Sequence, residues 1–130
     1  MRVITFGTYD MFHFGHLQLL RRARELGNKL HVGVSSDKMS FNKKGRNPVY
    51  PEEERMEILR NIRYVDHVFI ENSLKKKRDY LIKYSSDILV MGDDWAGKFD
   101  EFKDVCSVVY LTRTEGISTT DTIQRIRKYE

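Results

Sequence analysis

Two histidines stand three residues apart in the segment His13-Phe14-Gly15-His16, and this pattern can bind a phosphate. Residues three apart in the first turn of a helix lie on one face, where the free N–H groups of the helix favour an anion. The glycine between them allows a ligand to approach the backbone closely. Two imidazole N–H donors at such a point stabilise charge that develops on a phosphoryl oxygen. The alternatives are a zinc pair and two ordinary polar residues at a helix start.

A second candidate anion site lies near the C-terminus, in residues 113–121. Arg113 is followed by three successive hydroxyl side chains, which are Ser118, Thr119 and Thr120. Ser118 with Asp121 also resembles a helix capping box, and capping alone would explain the serine. The arginine and the additional hydroxyls indicate a second anion site opposite the first. Two such sites predict a polyphosphate ligand.

Further charged residues follow other apolar runs of the chain. The basic stretch 42–46 contains Lys44 and Arg46, which would hold an anionic substrate, although a solvated charge run has the same composition. Asp93 and Asp94 would contact a ribose, a base amino group or magnesium, or would only cap a turn. The cluster 75–78 is expected on the exposed face of a helix, with Lys77 as the residue that can reach a phosphate.

The elements that position these residues alternate in type along the chain. Five nearly continuous apolar runs are typical of strands covered on both faces, and they span residues 2–6, 30–35, 67–70, 88–91 and 107–111. Three segments of helical period lie between these runs: one at about 15–26, one that starts at residue 51 and one at about 74–84. A fourth follows Ser118, after the last run. Gly27 is expected as a left-handed cap of the first helix. Residues 37–50 are expected to be an irregular polar loop, a common place for function.

This alternation predicts an α/β fold: a single Rossmann-like domain, residues 1–130, with a five-stranded parallel sheet and helices on both faces. In such a sheet, ligands bind at the carboxyl ends of the strands. The polar clusters after the first, second, fourth and fifth strands all fall on that edge. Structural demands alone would not gather histidines, carboxylates and cations on one rim, so this coincidence favours a functional site there.

Composition excludes several classes of protein. The chain has 130 residues, 40% of them hydrophobic, and a formal net charge of +4, which fits one folded domain. It contains neither the Gly-x-Gly-x-x-Gly dinucleotide fingerprint nor a Walker loop, so hydride transfer and P-loop chemistry are not expected. Its uninterrupted apolar stretches are far below the roughly 20 residues of a membrane span. No secretory signal is recognisable, so a cytoplasmic location is expected.

The charged residues point to transfer of a phosphorus-containing group. No Ser/His/Asp or Cys/His set is evident, so covalent catalysis is not expected. An acceptor that is a phosphate monoester has a second pKa of about 6 and is mostly dianionic at pH 7. It can attack an α-phosphate without a general base, so positioning and charge stabilisation determine the rate.

Residues 13–16 together with residues 113–120 closely resemble the cytidylyltransferases, a family of the nucleotidyltransferase superfamily that shares the His-x-Gly-His motif. Residues 7–10, 63–66 and 91–95 are similar to that family too, so the resemblance covers nearly the whole chain. The first motif alone is typical of the wider superfamily, adenylyltransferases included, whereas the second is more specific. The resemblance implies transfer of CMP from CTP to a small phosphomonoester, with release of pyrophosphate.

The resemblance also implies roles for matching residues. The implied catalytic residues are His13, His16, Lys44 and Arg113. The implied CTP-binding residues are Thr8, Tyr9, Gly15, Arg46, Arg63, Asp94, Thr114, Gly116, Ile117, Ser118, Thr119 and Thr120. Lys44 and Lys77 would bind the acceptor. Magnesium would accompany the triphosphate, with no metal ligands assigned to the protein, and a homodimer with its sites near the interface is expected.

The acceptor is the part of the function that the sequence leaves most open. Residues 43–51 and 118–127 also resemble the choline-phosphate and ethanolamine-phosphate branches of the family. Residues 92–100 and the short chain favour sn-glycerol 3-phosphate, and hence CDP-glycerol for a bacterial surface polymer such as teichoic acid or capsule. Another polyol phosphate, an adenylyltransferase and a non-catalytic basic nucleotide-binding module remain alternatives. Acidic groups among the cations on the rim argue against a nucleic-acid partner.

Overall fold

The computed structural model describes residues 1–112 and 119–129, and its centre is a five-stranded parallel sheet. The strand order is β3-β2-β1-β4-β5. The strands are β1 (Arg2–Gly7), β2 (Lys29–Ser35), β3 (His67–Glu71), β4 (Ile88–Gly92) and β5 (Ser107–Leu111). All five predicted strands are therefore confirmed, with ends that differ by at most one residue.

Five α-helices occur in the described part of the chain. They are α1 (Phe14–Glu25), α2 (Asp37–Lys44), α3 (Glu52–Arg60), α4 (Lys77–Lys83) and α5 (Thr119–Lys128). One core cluster joins the sheet to Leu20 of α1 and Leu59 of α3. A second cluster joins it to Leu81 of α4 and Phe102 of the 3-10 segment Asp100–Asp104. The two clusters use alternate residues of the central strands, which confirms a Rossmann-like sheet covered on both faces.

The predicted irregular loop 37–50 is wrong in its first half, because residues 37–44 form α2. The Ser36 side chain caps this helix by accepting a hydrogen bond from the Met39 N–H at 3.1 Å. Gly45 ends it in the left-handed conformation, with φ 75°. The helix has no apolar stripe and buries only Ser40, so hydrophobic periodicity could not detect it.

Gly27 is not the left-handed cap that the sequence predicts. Leu26 is the C-cap, in the right-handed region, and Gly27 is absent from the positive-φ residues. A Cβ at Gly27 would lie 2.4 Å from the carbonyl oxygen of Met1 and 2.8 Å from a methyl carbon of Val3. The glycine is therefore required by the close approach of the N-terminal strand.

The cluster 75–78 does not form one exposed helical face, which corrects a third expectation. A 3-10 turn, Leu74–Lys76, precedes α4, and Lys77 is only 4% exposed. Its ammonium group lies 3.2 Å from the carboxylate of Glu71, which is 1% exposed. An acidic partner at the end of β3 explains why a lysine is tolerated in the interior.

The strand order reverses between β1 and β4, and this reversal opens a crevice at their carboxyl ends. Both strands run in the same direction, with Val3 opposite Ile88 and Thr5 opposite Val90. Within residues 1–112 and 119–129, no helix is both long enough and apolar enough to cross a membrane.

Candidate functional site

A cleft of about 770 Å³ lies at the carboxyl ends of the strands. Every strand contributes at least one residue to its wall: Gly7, Ser35, Glu71, Met91 and Leu111. Four helices, α1, α2, α4 and α5, contribute further lining residues, among them His16, Lys43, Lys77 and Thr120. The cleft therefore lies where the sheet topology predicts a ligand.

The structure brings most of the predicted site residues to this cleft. Those that line it are Thr8, Tyr9, His13, Gly15, His16, Lys44, Arg46, Lys77, Asp94, Thr119 and Thr120. Arg63 does not line it and is exposed in the turn between α3 and β3, toward the amino edge of the sheet. Five others lie outside the described residues: Arg113, Thr114, Gly116, Ile117 and Ser118.

His13 and His16 cap the N-terminus of α1 reciprocally. His13 is the N-cap residue, and its Nδ1 accepts a hydrogen bond from the Gly15 N–H at 3.0 Å. His16 Nδ1 accepts one from the His13 N–H at 3.2 Å. The two rings stack, with centroids 3.8 Å apart and planes 21° from parallel. Two imidazoles thus perform the exchange that Ser/Thr and Glu/Gln perform in an ordinary capping box.

These hydrogen bonds decide where the imidazole protons are. A nitrogen that accepts a backbone N–H carries a lone pair, so the proton of each neutral ring is on Nε2. Both histidines are therefore Nε2–H donors at the N-terminus of a helix, where the backbone also favours an anion. The pair can donate hydrogen bonds to a phosphoryl oxygen without changing protonation state.

Burial holds His16 in its neutral form. Its pKa falls from 6.5 to about 3, mainly because burial disfavours the charged ring and secondly because His13 is adjacent. The Asp10 carboxylate acts in the opposite direction and raises the pKa. Tyr9 and Phe12 enclose the His16 ring, each with its centroid 5.4 Å away. At neutral pH, His16 is consequently an uncharged hydrogen-bond donor.

The turn between β1 and α1 has an unusual backbone. Tyr9 and Met11 both have positive φ, at 55° and 46°. Non-glycine residues in this region are uncommon and are concentrated at functional sites. Gly7 permits the turn, because a Cβ there would lie 2.8 Å from the Tyr9 ring. The turn delivers Thr8 and Tyr9 to the cleft immediately before the histidines.

Asp10 connects three segments around the cleft. Its carboxylate accepts hydrogen bonds from the N–H groups of Val49 at 2.7 Å and Tyr50 at 2.9 Å. Its carbonyl oxygen accepts one from the Thr119 hydroxyl at 2.9 Å. The first turn of α5 and the segment that contains Val49 and Tyr50 are thereby held against the turn between β1 and α1. Asp10 therefore binds backbone groups that are 39 and 40 residues further along the chain.

Arg55 is the main structural residue that sequence reasoning missed. It is 1% exposed and donates hydrogen bonds to the carbonyls of Thr8 at 2.8 Å, Ser35 at 2.9 Å and Tyr50 at 2.9 Å. Its remaining terminal nitrogen lies 2.7 Å from the Asp37 carboxylate. The only sequence signal is an arginine within the apolar face of α3, four residues before the buried Leu59.

One further charged group at the other end of the cleft, the carboxylate of Glu71, was not predicted, and it pairs with the predicted Lys77. Glu71 lies at the end of β3, and its Oε2 is 3.2 Å from Lys77 Nζ. Burial raises the pKa of Glu71 and lowers the pKa of Lys77, while their mutual attraction opposes both shifts. Lys77 also lies over the Phe6 ring, 4.2 Å from its centroid. An ammonium group has three donors, so this pair leaves N–H groups for a ligand.

The comparisons with known proteins agree with this geometry. A model of cytidylyltransferase-like proteins matches residues 4–125. The chain belongs to this family. Glycerol-3-phosphate cytidylyltransferase of Staphylococcus aureus (strain NCTC 8325 / PS 47) is 51% identical, over 96% of this chain and 94% of the relative. The enzyme of the same name from Bacillus subtilis (strain 168) is 50% identical, over 92% of each chain.

More distant relatives share the fold. An FAD synthase of Pyrococcus horikoshii is 32% identical over 97% of this chain and 92% of its own. The crystal structure of a lipopolysaccharide core biosynthesis protein from Thermoplasma volcanium GSS1 superposes with a TM-score of 0.75 at 22% identity, covering 88% of this chain and 98% of the other. The Rossmann-like fold of a cytidylyltransferase-like domain is thereby confirmed.

We expect Arg55→Met to lower the free energy of unfolding by about 3–5 kcal/mol, because Asp37 and three carbonyls lose a buried donor. Urea denaturation measures this change. Arg60→Met removes an exposed arginine from the same helix and should change stability by less than about 1 kcal/mol. Equal effects of the two substitutions would contradict the structural role of Arg55.

The lowered pKa of His16 predicts a pH dependence of stability. The unfolded chain binds a proton at about pH 6.5 and the folded chain only near pH 3, so stability is full above 6.5 and falls as the pH falls. The slope contributed by this one group is about 1.4 kcal/mol per pH unit inside that window. Urea midpoints between pH 4 and 7 measure it. His16→Asn keeps a cap acceptor and should remove this part of the slope; an unchanged slope contradicts the assignment.

Proposed function

We propose that this protein transfers CMP from CTP to sn-glycerol 3-phosphate, forming CDP-glycerol and pyrophosphate. The observation that carries the proposal is the pair of Nε2–H imidazoles, His13 and His16, at a helix N-terminus inside the cleft. The names of the relatives at 50–51% identity support the substrate. The glycerol phosphate acceptor therefore rests on those relatives, and the transfer chemistry rests on the geometry.

The reaction forms one bond and breaks one bond at the α-phosphorus of CTP. An oxygen of the acceptor phosphate attacks this phosphorus, and the bond to the bridging oxygen of pyrophosphate breaks. A phosphate monoester is mostly dianionic at pH 7, its second pKa being about 6, so no proton has to be removed from the nucleophile. This agrees with a site whose buried histidine, His16, stays neutral rather than acting as a base.

The imidazole N–H groups stabilise the charge that develops during this step. His13 and His16 would donate from Nε2 to oxygens of the α-phosphate, and the free N–H groups of α1 add to the same field. Their Nδ1 atoms are occupied by backbone donors, so the rings cannot rotate away from this task without breaking the cap. The donors are therefore oriented before the substrate binds, which is the condition for a large rate effect.

The remaining predicted roles are distributed around the cleft. Lys44 and Lys77 would bind the acceptor phosphate, and Thr8, Tyr9 and Arg46 would hold CTP together with residues 113–120. Magnesium is expected to arrive with the triphosphate, where it would neutralise charge on the departing pyrophosphate. The Asp94 carboxylate lines the cleft and is an oxygen ligand that this ion accepts beside phosphate oxygens. To contact CTP as the resemblance implies, Arg63 would have to approach a cleft that it does not line in its own chain.

A homodimer, which the resemblance implies, and a cytoplasmic location complete the proposal. Sedimentation of the purified protein tests the first. A dimer would also offer a way for Arg63 to approach a cleft that it does not reach in its own chain.

The reaction is tested by pyrophosphate release with magnesium, either CTP or ATP, and a panel of acceptors. The panel contains glycerol 3-phosphate, ribitol 5-phosphate, phosphoethanolamine and phosphocholine. Release with CTP and glycerol 3-phosphate supports the proposal. Release only with ATP would assign the chain to adenylyl transfer, and release with another acceptor would replace glycerol 3-phosphate.

His13→Asn and His16→Asn should each lower kcat by about 10²–10³-fold, because asparagine retains a cap acceptor but removes the Nε2–H donor. Steady-state pyrophosphate release measures kcat, and circular dichroism verifies the fold. His67→Asn removes an imidazole that packs on Tyr84 outside the cleft and should leave kcat unchanged. If His16→Asn turned over like the unsubstituted protein, the assigned role would be wrong.

A further inference from the structure

The single tryptophan of the chain packs against two lysines in the wall of the cleft. Lys43 Nζ, from the last turn of α2, is 4.2 Å from the centroid of the Trp95 ring. Lys98 Nζ, from the segment after β4, is 5.4 Å from the same centroid. Trp95 is partly buried, whereas both lysines are exposed to solvent. None of the roles assigned above uses Lys43, Trp95 or Lys98.

The neighbouring aromatic rings, Phe6 and Phe99, also face a lysine ammonium group. Lys77 Nζ lies 4.2 Å from the Phe6 centroid and 4.8 Å from the Phe99 centroid. Trp95 and Phe99 are adjacent, with centroids 5.5 Å apart. The aromatic wall at this end of the cleft therefore already faces ammonium groups that belong to the protein itself.

An aromatic wall of this kind would otherwise favour a cationic ligand. Ammonium groups bind aromatic faces, tryptophan best, and proteins recognise choline in aromatic cages. Here the attraction is satisfied by Lys43 and Lys98, and a further cation would meet their positive charges instead. The local electrostatic potential is already positive. The pKa of Lys43 is lowered, first by burial and then by the positive charges of Lys44 and Lys98, while the Glu71 carboxylate raises it.

Lys77 does not add to this excess of positive charge, because Glu71 neutralises it at 3.2 Å. The excess therefore comes from Lys43 and Lys98, whose ammonium groups both lie over the Trp95 ring. An anionic phosphate is attracted to this place, and an uncharged alcohol is tolerated. A ligand that carries both a phosphate and an ammonium group gains less, because its cation has no open aromatic face and is repelled.

We propose that Lys43 and Lys98, held against Trp95, determine acceptor specificity by admitting phosphomonoesters of uncharged alcohols and excluding those of amino alcohols. This inference rests on the proposed cytidylyl transfer for its consequence, although the charge arrangement itself can be tested without turnover. It explains how a chain whose motifs also resemble the choline-phosphate branch can reject a cationic acceptor with one pair of side chains.

The first test compares kcat/KM for glycerol 3-phosphate, phosphoethanolamine and phosphocholine in the double variant Lys43→Met/Lys98→Met. Methionine retains an unbranched apolar chain for Trp95 and removes both charges. We expect the preference for glycerol 3-phosphate over phosphocholine to fall at least tenfold. Lys38→Met is the matched control, because Lys38 is an exposed lysine of α2 outside the cleft lining. An unchanged preference in an active double variant overturns the inference.

The second test needs no catalysis and uses Trp95 as its own reporter. Because this is the only tryptophan, its fluorescence can be titrated with tetramethylammonium chloride against sodium chloride at equal ionic strength. The double variant should show saturable quenching or a spectral shift with tetramethylammonium, and the unsubstituted protein and Lys38→Met should show none. Equal responses in all three proteins overturn the inference.

The two tests separate the inference from the proposed function. Absence of turnover with every nucleotide and acceptor would reject cytidylyl transfer, and the fluorescence titration would still decide whether the lysines block the aromatic face. Turnover by the unsubstituted protein with an unchanged acceptor preference in the double variant would keep the proposed function and reject the specificity role.

Discussion

The cleft depends on the buried guanidinium of Arg55. Its donors hold the carbonyls of Thr8, Ser35 and Tyr50, and its charge is paired with Asp37. These contacts fasten the carboxyl ends of β1 and β2 to the start of α2 and to the segment that leads into α3. A rigid planar group with five donors can join four segments at once, which no other side chain does equally well. This junction therefore fixes the turn between β1 and α1, which leads to His13 and His16, relative to α2, which carries Lys43 and Lys44.

A second set of contacts connects this junction to His13 and His16. Asp10 lies within the strained turn, between Tyr9 and Met11, and binds the backbone of Val49 and Tyr50. The segment that leads to Arg55 therefore also holds the turn before α1. The turn then continues into the reciprocal cap of His13 and His16. The imidazoles are thus oriented at both ends, by the backbone of their own helix and by a loop from across the cleft.

The charges of the cleft are divided between its two ends. At the histidine end, burial keeps His16 uncharged, so its N–H can stabilise new negative charge without first losing or gaining a proton. At the other end, the buried pair Glu71–Lys77 is locally neutral, while Lys43 and Lys98 supply exposed positive charge beside Trp95. A reaction between two phosphates fits this division. The histidine end stabilises the negative charge that develops on one phosphate, and the end with Lys43 and Lys98 attracts the other.

Sequence by itself determined the sheet, the family and the histidine pair. Five apolar runs alternating with helical segments admit few arrangements, and two histidines three residues apart at a helix start must be neighbours because helix geometry is local. Tertiary structure alone decided the burial of Arg55 and Lys77, the position of Arg63 away from the cleft and the helical form of residues 37–44. Residues 37–44 carry no apolar stripe, and Arg63 takes its place from the turn that precedes the amino end of β3. The burial of Arg55 and Lys77 depends on partners from other elements: their charge in the sequence indicated exposure, whereas the fold supplied the carboxylates and carbonyls that reverse that expectation.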